Sequence, residues 1–340
     1  LNSSLRLAFR VDGSPEIGAG HLMRCLTLAR GALARGDQVL FASKPLPDEL
    51  RAKIVAQGIR FLDLPPEVSE DDDAVACLAD RGFAQANWVV LDHYGLGTTW
   101  QERVRVPRRR LCVFEDMPNR VHHADLLLDP TYAPQDADRY RGLVPETCQL
   151  LLGPAYALVR PEVLEARTER RPPPTASAEW RIFVCLGGGE TGRETLRVLQ
   201  ALDTVSTNVT VVMAQPSVHQ TEIGQSLRGK RGWVLHLAPD HFAALMAGSD
   251  LAITGSGSIT WEKCALGLPS LAVCLADNQR DIFTGLEAAG AHLACPLDPP
   301  RLRAAMEGLT ADKLVGMGQA AHAICNGRGV AAVLEHLRSN

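Results

Sequence analysis

The sequence has no C-x-x-C pair, no apolar run long enough to cross a bilayer and no excess of positive charge. Each absence removes a class of function. The nine cysteines are odd in number and sit mainly inside apolar runs (Cys25, Cys185, Cys264, Cys274), as reduced core residues do. Without a long apolar stretch no stable membrane insertion is expected, and no secretory n-region and h-region open the chain. A net charge of −4 gives no global attraction to nucleic acid, and no DNA- or RNA-binding module is present. Metal ligation lacks a motif too. His122-His123 is the most suggestive pair, but neighbours on an extended chain point to opposite faces. No metal and no cofactor are therefore expected, and a cytoplasmic enzyme or small-molecule-binding protein fits best. The first residues, Leu1-Asn2-Ser3-Ser4, carry no methionine and read as a trimmed end.

What is present is ordinary in amount and specific in order. With 340 residues, 46% hydrophobic and 22% charged, the chain predicts two soluble domains, each long enough for its own core. Strand and helix signals alternate as in a parallel α/β sheet. In the first half the strands fall at 5–11, 38–43, 59–62, 88–91, 110–114 and 126–128. Three in succession end in polar tips: Asp92-His93-Tyr94-Gly95, Glu115-Asp116-Met117-Pro118 and Asp129-Pro130-Thr131. The acidic run Glu70–Asp73 predicts the start of a helix, where negative charge suits the dipole. Residues 164–178 are polar, Pro-rich and aperiodic, and read as a linker. The alternation then restarts, with strands at 181–186, 209–213, 234–237, 251–254 and 270–275. The expected domains are 1–163 and 179–340, with the last helix packing back on the first domain. Two Rossmann-like halves imply a cleft between them.

The stretch R-V-D-G-S-P-E-I-G-A-G-H-L-M-R-C-L-T-L-A-R-G-A-L, from Arg10 to Leu33, carries the first candidate site. A strand ends at Val11, and Asp12-Gly13-Ser14-Pro15 is a turn signature. Gly18-Ala19-Gly20 lets backbone approach a ligand closely. Helical periodicity begins at His21, whose place in the first turn puts it among unpaired N–H groups that favour anions. Arg24 lies one turn on, on nearly the same face. Gly-x-Gly after a strand is weak alone, and a lone His there is often a cap. The His–Arg pair points instead to a phosphorylated substrate, with Asp12, Gly18, Gly20 and Arg24 as candidate contacts.

The second half supplies two more motifs. I-T-G-S-G-S-I-T-W-E ends a strand at Thr254, turns through Gly255-Ser256-Gly257-Ser258 and starts a helix near Ile259. Small residues at a helix start make a phosphate cradle. Glu262, one turn in, reaches a ribose diol with both carboxylate oxygens. Together these favour a nucleotide-diphosphate site, to which the glycine run containing Gly188 also contributes. In Leu275-Ala276-Asp277-Asn278-Gln279 a cap explains one residue, but not the amide pair Asn278-Gln279, which suits sugar hydroxyls or an acetamido group.

Five segments, G-A-G-H-L-M-R-C-L-T-L-A, L-D-H-Y-G-L-G, L-L-G-P-A-Y-A-L-V-R-P-E, G-S-G-S-I-T-W-E and A-D-N-Q, occur in that order over almost the whole chain. In this the sequence resembles the PseG family, UDP-sugar hydrolases of the pseudaminic acid pathway, which are similar to MurG-type GT-B glycosyltransferases. The resemblance implies a GT-B-like α/β fold, with two Rossmann-like domains facing across a cleft and the nucleotide held mainly by the C-terminal one. It also implies metal-independent release of UDP from UDP-2,4-diacetamido-2,4,6-trideoxy-β-L-altropyranose, by C–O cleavage with inversion. On this reading His21 is the catalytic histidine, Tyr94 a polar neighbour and Asn278 a substrate-binding amide. Glu262 is the ribose ligand, and Ser256, Gly257, Ser258 and Gln279 line the nucleotide and sugar. Glu115-Asp116 stands where the family usually has Asp-Asp. Asn326-Gly327-Arg328-Gly329 stands where it has Asp-Gly-x-Gly. Both departures bear on the sugar more than on the chemistry.

The chemistry is consistent with the residues. UDP is a good leaving group if donors neutralise the departing diphosphate, so the protein's task is to place and deprotonate one water. A histidine, with an ordinary pKa near ~6.5, suits that at neutral pH, and Asp12 or Asp92 is available to orient it. A GT-B glycosyltransferase, with an acceptor hydroxyl in place of water, is the alternative. The basic run Arg103–Arg110 speaks for it, as a surface that meets anionic membrane.

Overall fold

The computed structural model describes residues 4–13, 20–133, 138–168, 170, 172–174, 180–204 and 208–339. It divides into two compact units, residues 1–158 with 328–340, and residues 159–327. Unit 1 is built on seven parallel strands: β1 (Arg6–Val11), β2 (Gln38–Ser43), β3 (Arg60–Asp63), β4 (Trp88–Asp92), β5 (Arg110–Phe114), β6 (Leu126–Asp129) and β7 (Gln149–Leu152). Their order is β3-β2-β1-β4-β5-β6-β7. The central strands are buried on both faces, as helices on either side of a parallel sheet require. Along β1, Leu7, Phe9 and Val11 enter one core and Ala8 the other. The sheet thus separates two apolar layers.

The helix Gly20–Leu33 covers the first layer with Leu22, Cys25, Leu26 and Ala29. The final helix, Gly329–Ser339, lies against it. Contact there is close, since a Cβ on Gly31 would come within 2.4 Å of Val330 Cγ1. Trp88 Nε1–H also donates to the Leu337 carbonyl, at 2.9 Å.

Unit 2 repeats the plan with six parallel strands: β8 (Arg181–Cys185), β9 (Asn208–Met213), β10 (Trp233–Leu237), β11 (Leu251–Gly255), β12 (Ser270–Val273) and β13 (Leu293–Ala294). Their order is β10-β9-β8-β11-β12-β13.

The division falls at Leu158/Val159, ahead of the expected linker at 164–178. That polar stretch begins inside a helix, Pro161–Arg167, whose Val163 is fully buried. The helix packs on Phe242–Ala247 and Ile259–Leu266, so its polar composition reflects one wet face. The part of the linker at 175–178 lies outside the described residues. The acidic run 70–73 does start a helix, Glu70–Ala79, but Ser69 caps it. Its carboxylates tie elements together. Asp73 is buried against Arg10 and Trp100, Asp71 pairs with Arg103, and Glu70 accepts from the N–H groups of Gly97 and Trp100.

Candidate functional site

Each sheet changes direction once. In unit 1 the chain steps outward from β1 to β2 and β3, then returns to the other side of β1 with β4. The strand ends at such a reversal flank a crevice where α/β sheets bind ligands. His21 follows β1; Asp92 ends β4 in register with Val11; Tyr94 follows two residues later. Three residues from two motifs are thereby brought to one edge. Gly18 lies outside the described residues, while Gly20 opens the helix that carries His21.

Asp92 is the hub. It is 2% exposed and takes the Arg24 guanidinium in a fork, Nε to Oδ2 at 2.5 Å and Nη2 to Oδ1 at 2.6 Å. His21 Nδ1 lies 2.5 Å from the same Oδ1. An ionised carboxylate only accepts, so Nδ1 carries the proton and donates to it. The lone pair of the neutral imidazole is then on Nε2, the atom free to act as base. Burial alone would raise the Asp92 pKa, but the Arg24 and His21 contacts outweigh it and hold the carboxyl well below the usual range. Asp92 therefore stays ionised as the orienting partner. The Tyr94 ring meets the imidazole edge-on, centroids 4.9 Å apart, and its hydroxyl donates to Asp116 Oδ1 at 2.7 Å. Asp116 Oδ2 in turn lies 3.6 Å from Arg24 Nη1. His21, Arg24, Asp92, Tyr94 and Asp116 form one connected set.

Of the two carboxylates that sequence alone offered as the partner of His21, Asp92 is the one in contact. Asp12 belongs to a neighbouring buried network. It binds Arg10 Nη1 at 2.5 Å and accepts from the Ser43 hydroxyl and the Lys44 N–H, at 3.1 and 2.9 Å. It also faces His93 Nε2 at 3.0 Å. Gly95 N–H donates to His93 Nδ1 at 2.9 Å, so His93 is the Nε2–H tautomer and donates to Asp12. Asp12 thus fixes the loop that presents Tyr94 from beneath. The Glu115-Asp116 pair splits its tasks. Glu115 turns inward to His122 Nε2 (3.0 Å) and Arg120, while Asp116 faces Tyr94. His123 pairs instead with Glu102. Among the described residues no group of three or more His, Cys, Asp and Glu could hold a metal ion.

In unit 2 the reversal lies between β8 and β11, and the two glycine-rich turns follow those strands. Gly188 accepts from Gln215 Nε2 through its carbonyl, at 3.3 Å. The turn after β11 runs close beneath β8, since a Cβ on Gly255 would sit 2.2 Å from the Leu186 carbonyl oxygen. Ser256 is fully buried and spends its hydroxyl proton on the Val273 carbonyl. Its side chain is a strut of the turn. Ser258 is exposed at the start of the Ile259–Leu266 helix and makes no side-chain cap bond. Gln279 comes next to Gly257, 3.7 Å from its notional Cβ, and its carbonyl oxygen accepts from Leu275 N–H at 3.0 Å. Asn278 lies on the same short helical turn, Asp277–Gln279. Glu262 is 9% exposed and already has a partner: Arg160 donates Nε to Oε1 at 2.5 Å and Nη2 to Oε2 at 2.8 Å. Arg160 was not singled out from the sequence, where 102 residues separate the pair.

Comparisons with known proteins bear on this geometry. A curated relative matches most of the chain. It is the UDP-2,4-diacetamido-2,4,6-trideoxy-beta-L-altropyranose hydrolase of Campylobacter jejuni, 25% identical over 291 residues, 84% of this chain and 97% of the relative. An uncharacterized protein of Methanocaldococcus jannaschii is 22% identical over 82% of the chain, which spans 57% of that protein. No family model matches. Among solved structures, MurG of Acinetobacter baumannii superposes with a TM-score of 0.68 over 98% of this chain and all of MurG, at 15% identity. The UDP-GlcNAc 2-epimerase of Neisseria meningitidis, solved bound to UDP-GlcNAc, gives 0.65 at 12% identity, covering 98% of this chain and 100% of the epimerase. The fold is GT-B, as the motifs implied.

Proposed function

We propose that the chain is a UDP-sugar hydrolase that releases UDP from UDP-2,4-diacetamido-2,4,6-trideoxy-β-L-altropyranose or a close relative, acting in the cytoplasm. The observation that carries the reading is the Asp92–His21 pair, a base with its proton held on Nδ1 and its lone pair on Nε2. It stands in a chain that matches, over 84% of its length, a curated relative named for this activity.

In the reaction His21 Nε2 takes a proton from water as the water oxygen attacks the anomeric carbon. The bond from that carbon to the β-phosphate oxygen breaks, and UDP leaves with the electron pair. Attack opposite the leaving group inverts the centre. Asp92 stabilises the imidazolium that forms, as a buried carboxylate does in triad chemistry. Tyr94 and Asp116 border the base, and Asn278 and Gln279 suit the sugar substituents. Glu262 takes the ribose, and the N–H groups at Gly257 and Ser258 face the diphosphate.

The fold by itself is equally that of a glycosyltransferase. The basic run that spoke for membrane contact is largely committed to internal partners. Arg103 pairs with Asp71, Arg105 with Asp125, Arg109 with the Val104 and Ala84 carbonyls, and Arg110 stacks on Trp88. The test is incubation of the UDP-sugar without acceptor in H₂¹⁸O. Free sugar labelled at C1, with inverted configuration and unlabelled UDP, is the expected outcome. Label in the UDP phosphate, or no turnover until an acceptor is added, overturns the proposal.

A further inference from the structure

We infer that Arg160 is a positioning residue for nucleotide recognition: it holds Glu262 so that the carboxylate accepts the ribose diol beside a diphosphate. The inference rests on the nucleotide reading above and adds to it a residue that does not itself touch ligand.

Glu262 alone would be poorly suited to its task. A carboxylate close to a diphosphate is repelled by it, and in a nearly dry setting that repulsion is strong. A flexible Glu side chain also pays rotamer entropy to be held in one orientation. Arg160 answers both difficulties. Its Nε and Nη2 meet the two carboxylate oxygens in a parallel fork, at 2.5 and 2.8 Å, which neutralises the charge and fixes the plane of the carboxylate. Each oxygen has two lone-pair directions, and the fork uses one of each. The remaining lone pairs diverge along the outer edges of the carboxylate, so a single oxygen, fixed in place by the fork, is the acceptor offered to the diol.

The arginine is itself held. It stands just before the helix Pro161–Arg167, and its guanidinium lies over the Phe242 ring at 4.8 Å. Phe242 opens the helix Phe242–Ala247 and packs edge-on against Phe183 of β8, at 5.5 Å. Three helices and the central strand thus converge on one planar ion pair. A lysine in this place would keep the charge but lose the fork and the stacking.

The experiment compares binding of UDP and 2′-deoxy-UDP by calorimetry to the whole protein and to Arg160→Met, Arg160→Lys and Glu262→Gln, with melting curves to establish folding. The unaltered protein should prefer UDP by roughly tenfold, the worth of a charge-assisted hydrogen bond to one hydroxyl. Arg160→Met should bring the two ligands within about twofold, chiefly by weakening UDP, and Arg160→Lys should restore part of the preference. A merely structural arginine would weaken both ligands alike and leave their ratio intact, and that result in a folded Arg160→Met variant overturns the inference. If Arg160→Met fails to fold, an unchanged ratio in Arg160→Lys does the same. A Glu262→Gln variant that keeps the preference overturns the ribose assignment, and this inference with it. Loss of preference in Glu262→Gln but not in the arginine variants overturns this inference alone.

Discussion

At the scale of single residues, the base and its orienting carboxylate make separable predictions. His21→Asn removes Nε2 as a base but touches nothing assigned to the nucleotide. Turnover should therefore fall by at least ~10²-fold with UDP affinity nearly unchanged. Turnover and UDP-binding measurements on both proteins check this, and a fully active variant would reduce His21 to a helix-start residue. Asp92→Asn acts differently. The amide cannot accept from His21 and Arg24 as the carboxylate does, so the imidazole loses its fixed tautomer and Arg24 its nearer charge partner. Turnover should drop by ~10²- to 10⁴-fold, and the melting temperature should fall as well, since a largely buried arginine is left with only the more distant Asp116 as a charge partner. Activity loss without a stability loss would mean that the Arg24 fork contributes nothing to the fold.

At the scale of elements, local patterns predicted the strands well because parallel strands buried on both faces are short apolar runs with turn signals on either side. β2 and β5 fall where the alternation put them, at Gln38–Ser43 and Arg110–Phe114. The edge strands β7 and β13 were missed. Gln149–Leu152 is half-exposed and Leu293–Ala294 has only two residues, so neither carries a burial pattern. The site was legible to the same extent. His21, Arg24 and Glu262 sit at helix starts whose local sequence is distinctive. The choice of Asp92 over Asp12, and the role of Arg160, depend on pairings set by strand order, which no local window contains. The glycines of Asn326-Gly327-Arg328-Gly329 are of this kind. Gly327 has φ +81°, and a Cβ on Gly329 would come within 2.2 Å of the Ala157 carbonyl oxygen. Backbone cannot yield as a side chain does. Gly329→Ala should thus cost about 1–3 kcal/mol, read as a lower denaturation midpoint. A neutral outcome would show that the final helix has room to shift.

At the scale of the whole chain, the two units have separate cores and separate responses to pH. In unit 1 Asp12 and Asp92 are held below the usual carboxylate range despite burial, by His93 and Arg10 in one case and Arg24 and His21 in the other. Their contribution is present above the ordinary carboxylate pKa and is lost as pH falls below it. Unit 2 carries the opposite problem. Lys263, on the inward face of the Ile259–Leu266 helix, is 1% exposed, and its ammonium donates to Thr254 Oγ1 at 3.2 Å with no carboxylate in ion-pair reach among the described residues. Nearby His292 is equally buried, and its pKa is pushed down to about 3 by burial and by the Lys263 charge. Burial lowers Lys263 itself to about 8. Below that value the fold bears the full penalty of a buried cation. Between about 8 and the ordinary 10.5 the folded chain holds fewer protons than the unfolded one, so stability rises with pH. Lys263→Met keeps the volume and removes the charge, and should stabilise unit 2 by about 1–3 kcal/mol at pH 7. The gain should shrink steadily above pH 8 as the native lysine sheds its proton. Denaturant melts of both proteins at pH 7 and pH 10 decide the matter. A gain of equal size at both would place its origin in packing, and a loss at pH 7 would show that the ammonium is better satisfied than its single bond implies.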